Sequence, residues 1–325
     1  MDARDFLKKG QEKALAKDFV GAIQDFTAAL ELNSDSYDAY DNRAYAYIEL
    51  QEFQKAIADY DQAIKLQPYN VITYRNRSYL HSQVKQYSLA IRDLNFVIRL
   101  QPLEVDNYLA RADLYRQIEN WPKAILDFNK ILQFNPNSLE ACLRRGSCYL
   151  SLQKPESALE DFTQAIAIKP NCEAAYFYRG KIQKTLGRPE LGIENLNQAI
   201  AINPKFIDAY LARVSCWMLL KKYDLALQDC DLALKIDSQE PLAYYQRAYA
   251  HQHLEQNSEA IRDCNIAIDL NPDYADAYFL RGRSYYHAKN RQKALENCQI
   301  AANLYQQSNF LAELQLVKQF ISEIG

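Results

Sequence analysis

Apolar and small residues return along this chain every 34 positions, with no insertion or deletion between blocks that start at residues 3, 37, 71, 105, 139, 173, 207, 241 and 275. The fourth position reads Phe6, Tyr40, Tyr74, Tyr108, Cys142, Tyr176, Tyr210, Tyr244 and Tyr278, and the eighth is mostly Gly, Ala or Ser. Position twenty is Ala in every block except the sixth, which has Gly192; position twenty-seven is mostly Ala. Position twenty-four is bulky in Phe26, Tyr60, Leu94, Phe128, Phe162 and Leu196, and then becomes Cys230, Cys264 and Cys298. Apolar positions 4, 8 and 11, followed by 20, 24, 27 and 30, have the helical period. They predict two helices per block, joined by a short polar turn and kept close by the small residues. Pro68, Pro102, Pro136, Pro170, Pro204 and Pro272 share position thirty-two, where the missing amide proton stops the second helix. Pro155 and Pro189 fall at position seventeen, a tolerated place at the start of that helix.

This pattern strongly resembles the tetratricopeptide repeat, whose signature has aromatics at 4, 11 and 24, small residues at 8, 20 and 27, and Pro at 32. The segments at 39–47 and 55–64 resemble the variety common in bacterial proteins of that family. The resemblance implies an all-α fold: a right-handed alpha-solenoid superhelix of nine helix-turn-helix hairpins over residues 3–308. In the remainder, 309–325, Phe310, Leu314, Val317, Ile321 and Ile324 make one apolar stripe, with Glu313, Gln315, Lys318 and Glu323 off it. A stack leaves its last apolar face uncovered, so this segment is expected to be a capping helix. It is also the candidate contact for a dimer of what is otherwise expected to be a monomer.

Composition narrows the function. A length of 325 residues would ordinarily suggest two globular domains, but a repeat array grows by stacking instead. With 49% hydrophobic residues the chain folds, and with only 8 glycines it lacks the permissive loops of phosphate cradles. A net charge of -3 and a pI near 5.9 argue against nucleic acid, which needs a surplus of cations. Asp2, Arg4, Asp5, Lys8 and Lys9 interrupt the start, and no later run reaches the ~20 apolar residues of a membrane span, so a cytoplasmic protein without membrane insertion is expected. The seven cysteines form no C-x-x-C pair and read as small buried residues. No cofactor is expected.

Two further patterns carry chemistry. Position seven is Arg in blocks two to nine: Arg43, Arg77, Arg111, Arg145, Arg179, Arg213, Arg247 and Arg281. Position twenty-three supplies Asp25, Asp59, Asp93, Asp127, Asp161, Asp229 and Asp263, with Asn195 and Asn297 as exceptions. An arginine beside a packed stripe needs a partner, so the expectation is a ladder of forked ion pairs, the rival being a basic binding stripe.

The family resemblance also implies a concave groove lined by positions 2, 5, 6, 9, 12 and 13. By register this set takes in Asp38, Asp41, Tyr45 and Glu49, then Arg75, Asn76 and Tyr79. Arg116, Arg144, Phe177, Tyr178, Lys181 and Lys184 would line the middle. Tyr245, Tyr249, His253, Phe279, Arg283, Tyr286 and His287 would line the C-terminal end. Exposed aromatics among charges of both signs suggest a surface that a protein or peptide covers. The family's carboxylate clamp is absent, since the first three blocks offer Leu7, Gln11, Asn42, Ile72 and Asn76. The asparagine ladder of its glycosyltransferase member is likewise limited to Asn42 and Asn76. His253 and His287 share position thirteen, but a metal site needs a third ligand that the sequence does not supply. The expected function is a protein-protein interaction scaffold or adaptor that is not an enzyme. The alternatives are an assembly factor or co-chaperone, a regulator of an enzyme on another chain and, remotely, a metal-binding or catalytic protein.

Overall fold

A computed structural model of the protein describes residues 1–324; Gly325, the last residue of the expected capping segment, lies outside the described residues. The chain is all-α, with nineteen helices and no strand among those residues. It divides into two compact units, Met1–Ala158 and Leu159–Gly325, and each is a stack of paired helices.

In the first unit α1 (Ala3–Leu15) pairs with α2 (Phe19–Leu32), α3 (Tyr37–Glu49) with α4 (Phe53–Leu66), α5 (Val71–Gln83) with α6 (Tyr87–Leu100), and α7 (Val105–Gln117) with α8 (Trp121–Phe134). α9 (Leu139–Ser151) packs on α8, and α10 (Pro155–Ile168) carries the chain into the second unit. There α11 (Glu173–Thr185) pairs with α12 (Pro189–Ile202), α13 (Ile207–Leu219) with α14 (Tyr223–Ile236), α15 (Pro241–His253) with α16 (Asn257–Leu270), and α17 (Ala275–His287) with α18 (Arg291–Gln307). α19 (Leu311–Ile324) packs on α18.

Close approach explains the small residues. A Cβ at Gly10 would stand 2.5 Å from the Phe26 ring, one at Gly180 2.8 Å from Leu196 and one at Gly282 2.7 Å from the Cys298 sulfur. Position eight is therefore small because position twenty-four of the same hairpin fills the space in front of it. The alanines at position twenty are fully buried, as at Ala56, Ala90, Ala226 and Ala260. All seven cysteines are buried, and none is in a disulfide. Burial pushes the thiols of Cys216 and Cys298 up to about 11 and that of Cys264 to about 12, so they stay protonated at neutral pH.

The turn inside each hairpin has one conformation. Residue fifteen is left-handed throughout: Lys17, Gln51, Lys85, Glu119, Gln153, Gly187, Lys221, Glu255 and Lys289 all have φ between 55° and 75°. In the third hairpin the Lys85 amide donates to the Ser82 carbonyl at 3.0 Å and the Gln86 amide to the His81 carbonyl at 2.8 Å. Such paired bonds close a helix C-terminus through a left-handed residue. Proline at position thirty-two lies two residues past the second helix, as Pro68 does after Leu66, but it is not required. α2 and α14 end at the same place with Ser34 and Ser238 there. α18 lacks the proline and runs to 17 residues.

The arginine ladder is present. Arg43, Arg77, Arg111, Arg213 and Arg247 each place Nε and Nη2 on both oxygens of Asp59, Asp93, Asp127, Asp229 and Asp263, at 2.6–2.9 Å. The remaining Nη1 reaches back one hairpin to position twenty-five. It donates to Thr27 at 2.9 Å, Asp61 at 2.6 Å, Asn95 at 2.7 Å, Asn197 at 2.6 Å and Asp231 at 2.7 Å. One guanidinium thus joins the second helices of two successive hairpins. Arg179 and Arg281 donate through Nε to the side-chain oxygens of Asn195 and Asn297 instead. The tyrosine at position four lies under the guanidinium, 5.3 Å away at Tyr74 and 5.1 Å at Tyr278, a cation–π contact that explains the persistent Tyr. The first hairpin has no such arginine, and Lys13 meets Asp25 at 2.6 Å. These arginines are therefore fixed internally, not a basic binding stripe.

Two corrections concern the C-terminal segment and the middle of the chain. Leu314 and Val317 are buried against Cys298, Ala301, Ala302 and Tyr305, and Ile324 is buried as well, but Phe310 precedes α19 and is 55% exposed. Phe177, assigned to the groove by register, is buried beside Leu196 and Phe206.

Two outcomes test these points by chemical unfolding. Lys85 is exposed and left-handed, so Lys85→Gly should raise stability by about 1 kcal/mol. Gly187→Ala, where nothing would crowd the added carbon, should lower it by a similar amount. Asp93→Ala, which strands the nearly buried Arg77 with Asp61 alone, should cost about 3–5 kcal/mol, and Asp93→Asn about half of that because one acceptor survives.

Candidate functional site

The first helices carry most of the side chains that the register assigns to a groove, and the two units present them differently. In the first unit Tyr45 and Tyr79 are 49% and 58% exposed, and Arg75 is exposed as well. Asp41 and Asn76 are half-buried and engaged. The Tyr37 hydroxyl donates to Asp41 at 3.5 Å, Asn76 donates to the Tyr60 hydroxyl at 3.3 Å, and burial raises the Asp41 carboxyl above its ordinary value. Arg116 meets Asp113 at 3.1 Å, and Arg144 bonds both Asp113 and, at 2.7 Å, Glu140. An open cavity of about 450 Å³ beside them includes Trp121 and Glu119 in its lining. Arg116 and Arg144 are thus already matched by acids of the same surface.

In the second unit Tyr178 stacks on Phe162 at 5.0 Å, Lys181 lies 5.2 Å over the buried Phe177 ring, and Lys184 is half-buried. Further along, α13, α15, α17 and α19 border three adjoining open cavities. The first, about 520 Å³, is walled by Met218, Leu219, Lys221, Tyr223, Tyr245 and Tyr249 and reaches His253. The second, about 500 Å³, shares His253 and adds Glu255, Arg283 and His287. The third, about 320 Å³, shares Arg283 and His287 and ends on Phe279, Tyr286, Leu316, Phe320 and Glu323. Shared walls make these one trough within the second unit, and its register-assigned members stand together there.

Aromatic contacts preorganise the trough. His253 lies flat against Tyr223 at 4.7 Å and tilted to Tyr249 at 4.6 Å. Tyr286 and Phe279 each meet Phe320 edge-on at 5.7 Å. Partial burial first, then the nearby charges of Arg283 and Lys221, hold His253 below its ordinary value, so at neutral pH the ring is uncharged. Arg283 has a cation–π contact with Phe279 at 6.0 Å but no carboxylate within ion-pairing distance among the described residues. The other two histidines serve the fold. His81 and His251 sit at position eleven and bond Gln86 and Gln256 at 2.8 and 2.6 Å. Among the described residues no group of three or more His, Cys, Asp or Glu is arranged to hold a metal, and no helix is long and apolar enough to cross a membrane.

Register reasoning missed Lys221 and Tyr223, which enter the trough from the turn and from the start of α14 instead of a first helix. A signal existed, because position seventeen is also aromatic in Phe19, Phe53, Tyr87 and Trp121, and Phe19 meets Tyr45 at 6.3 Å. It missed Leu316 and Phe320 because a capping helix was given no part in the groove.

Family profiles match residues 37–70, 139–172, 179–241 and 245–309, and each is described as tetratricopeptide repeat. Among solved structures, a tetratricopeptide repeat protein from Parabacteroides merdae is similar over 76% of this chain and 98% of its own, at 18% identity and a TM-score of 0.56. The C-terminal part of a repeat-containing protein of the same kind from Cytophaga hutchinsonii is similar over 66% of this chain and 86% of its own, at 21% identity and a TM-score of 0.53. The APC/C hetero-tetramer Cut9–Hcn1 gives a TM-score of 0.56 at 14% identity, over 97% of this chain and 76% of that one. At such identities the likeness concerns fold alone. No curated protein sequence matches the chain.

The electrostatics of the trough are open to measurement by NMR titration. His253 should titrate below 6.5, and Arg283→Gln should move its midpoint upward without restoring it fully, because burial remains the larger cause. A midpoint at or above 6.5 in the unchanged protein would contradict this description.

Proposed function

Since the chain belongs to the tetratricopeptide repeat family and is a protein-interaction scaffold, we propose that its second unit holds a peptide or helix of a partner protein in the trough along α13, α15, α17 and α19. The observation that carries this reading is the continuity of three cavities, two walled by tyrosine or phenylalanine and a polar one between them, around an arginine without an acid of its own. Large, already packed aromatic rings lose little side-chain entropy when a ligand covers them, which is why such residues dominate binding energy in protein interfaces. The uncharged His253 offers a donor or an acceptor, and Arg283 fixes a carboxylate or a backbone carbonyl of the ligand. Residues of the first unit's first helices, Tyr45, Arg75 and Tyr79, give a second contact region of the same kind. Its arginines Arg116 and Arg144 contribute less, being tied to Asp113.

The test is affinity capture with the wild type and with Tyr249→Ser/Arg283→Glu. The variant should fall at least about tenfold in recovery of the protein that the wild type retains, while circular dichroism and the unfolding midpoint stay unchanged. An unaltered set of captured proteins would remove the trough from consideration.

A further inference from the structure

Along the outward side of the second helices, hairpins two to four are the one run of three successive hairpins without an acid at positions twenty-two, twenty-six and twenty-nine. At positions twenty-two, twenty-six and twenty-nine, hairpins two to four place Ala58, Gln62 and Lys65; Arg92, Phe96 and Arg99; and Leu126, Lys130 and Gln133. No acid occurs among these nine, whereas the second unit has Glu160, Glu194 and Glu296 at position twenty-two. Arg92 and Arg99 are exposed, and neither has a carboxylate within ion-pairing distance among the described residues. The acids nearest in the ladder, Asp61 and Asp93, are both taken by Arg77. Lys65 and Lys130 bond only the neutral Gln62 and Gln133, at 3.2 and 3.1 Å.

Between the two arginines lies an apolar centre. Phe96 packs 4.3 Å from Tyr74 and 6.5 Å from Tyr69, with Arg99 5.0 Å over its ring, and an open cavity of about 450 Å³ extends from Arg92 to Arg99 beside it. Tyr69 and Leu126 on either side are 76% and 63% exposed. Seven residues of helix set the α-carbons of Arg92 and Arg99 about 10 Å apart along α6, with the ring between them.

We propose that the outward face of α6 docks an acidic amphipathic helix of a partner protein, its carboxylates spaced two turns apart on Arg92 and Arg99 and an intervening apolar side chain on Phe96. Charge decides the partner: free guanidiniums on a strip whose outward positions carry no acid, with the Asp93 of the cavity wall held by Arg77, favour carboxylates, which they grip through two parallel bonds. The two-turn spacing and the apolar middle select a helix over a small anion, which would occupy one arginine and leave the ring uncovered. A nucleic acid fits less well on a chain whose net charge is -3. This surface is independent of the trough in the second unit.

The probe is a capped, fluorescein-labelled alanine-based helical peptide with two glutamates seven residues apart and two leucines between them, followed by anisotropy at low salt and at about 0.3 M NaCl. Binding should weaken at least tenfold for Arg92→Gln/Arg99→Gln, for the peptide with Gln in place of Glu, and at the higher salt. Tyr249→Ser/Arg283→Glu should leave it unchanged, which separates this surface from the trough. Circular dichroism and the unfolding midpoint establish that the α6 variant is folded. Absence of binding, equal affinity for the neutral peptide, or indifference to the α6 arginines overturns the proposal. So does tighter binding of a labelled DNA duplex that depends on the same two arginines.

Discussion

A guanidinium carries five donors in one plane, and each hairpin in the ladder uses that plane to define its neighbour. Two donors close on the carboxylate of position twenty-three in the same hairpin, and a third reaches position twenty-five of the preceding one. Small residues allow helices to approach, but apolar contact alone tolerates sliding and rotation. A forked bond with fixed directions does not. Burial makes the arrangement demanding: at Asp59 and Asp127 it raises the carboxyl above its ordinary value, against the pull of the arginine. The ladder's contribution is thus better described as fixing register than as adding net stability, since a buried pair largely offsets its own desolvation.

The hairpins were legible because period, small positions and prolines all repeat, and the Arg–Asp ladder because both partners recur at fixed positions. Its third bond was not, because Thr27, Asp61, Asn95 and Asn197 share only an oxygen acceptor in the right place. The left-handed turn at position fifteen was hidden for the opposite reason, since eight of its nine residues are not glycine. Backbone geometry imposed by paired bonds overrides residue preference there. Phe177 shows the limit of register as a guide to exposure. Its neighbours Leu196 and Phe206 leave room for a ring to turn inward, and its position in the pattern does not record them.

Regularity of the backbone leaves chemistry to the residues that break the pattern. In the first unit Arg116 and Arg144 of the first helices are matched by Asp113 and Glu140, while the outward positions around Arg92 on the second helices carry no acids to match it. In the second unit an unmatched charge lies among the first helices, at Arg283, beside Phe279 and Tyr286. Identical scaffolding thus supports surfaces of different polarity on different sides, because ladder residues and outward residues occupy separate positions of the same helix.

The seven cysteines sit one or two to a hairpin or between hairpins, buried and outside any disulfide, and burial keeps Cys216, Cys264 and Cys298 protonated near neutrality. A thiol reagent reaches them only when their own helices part, so the rate at which each is modified records how often that stretch opens. Because Cys142 and Cys148 report on one end of the chain's middle and Cys298 on its last pair, the protein carries a built-in set of local clocks. With them, fraying from an end can be told from rupture in the interior without adding any label.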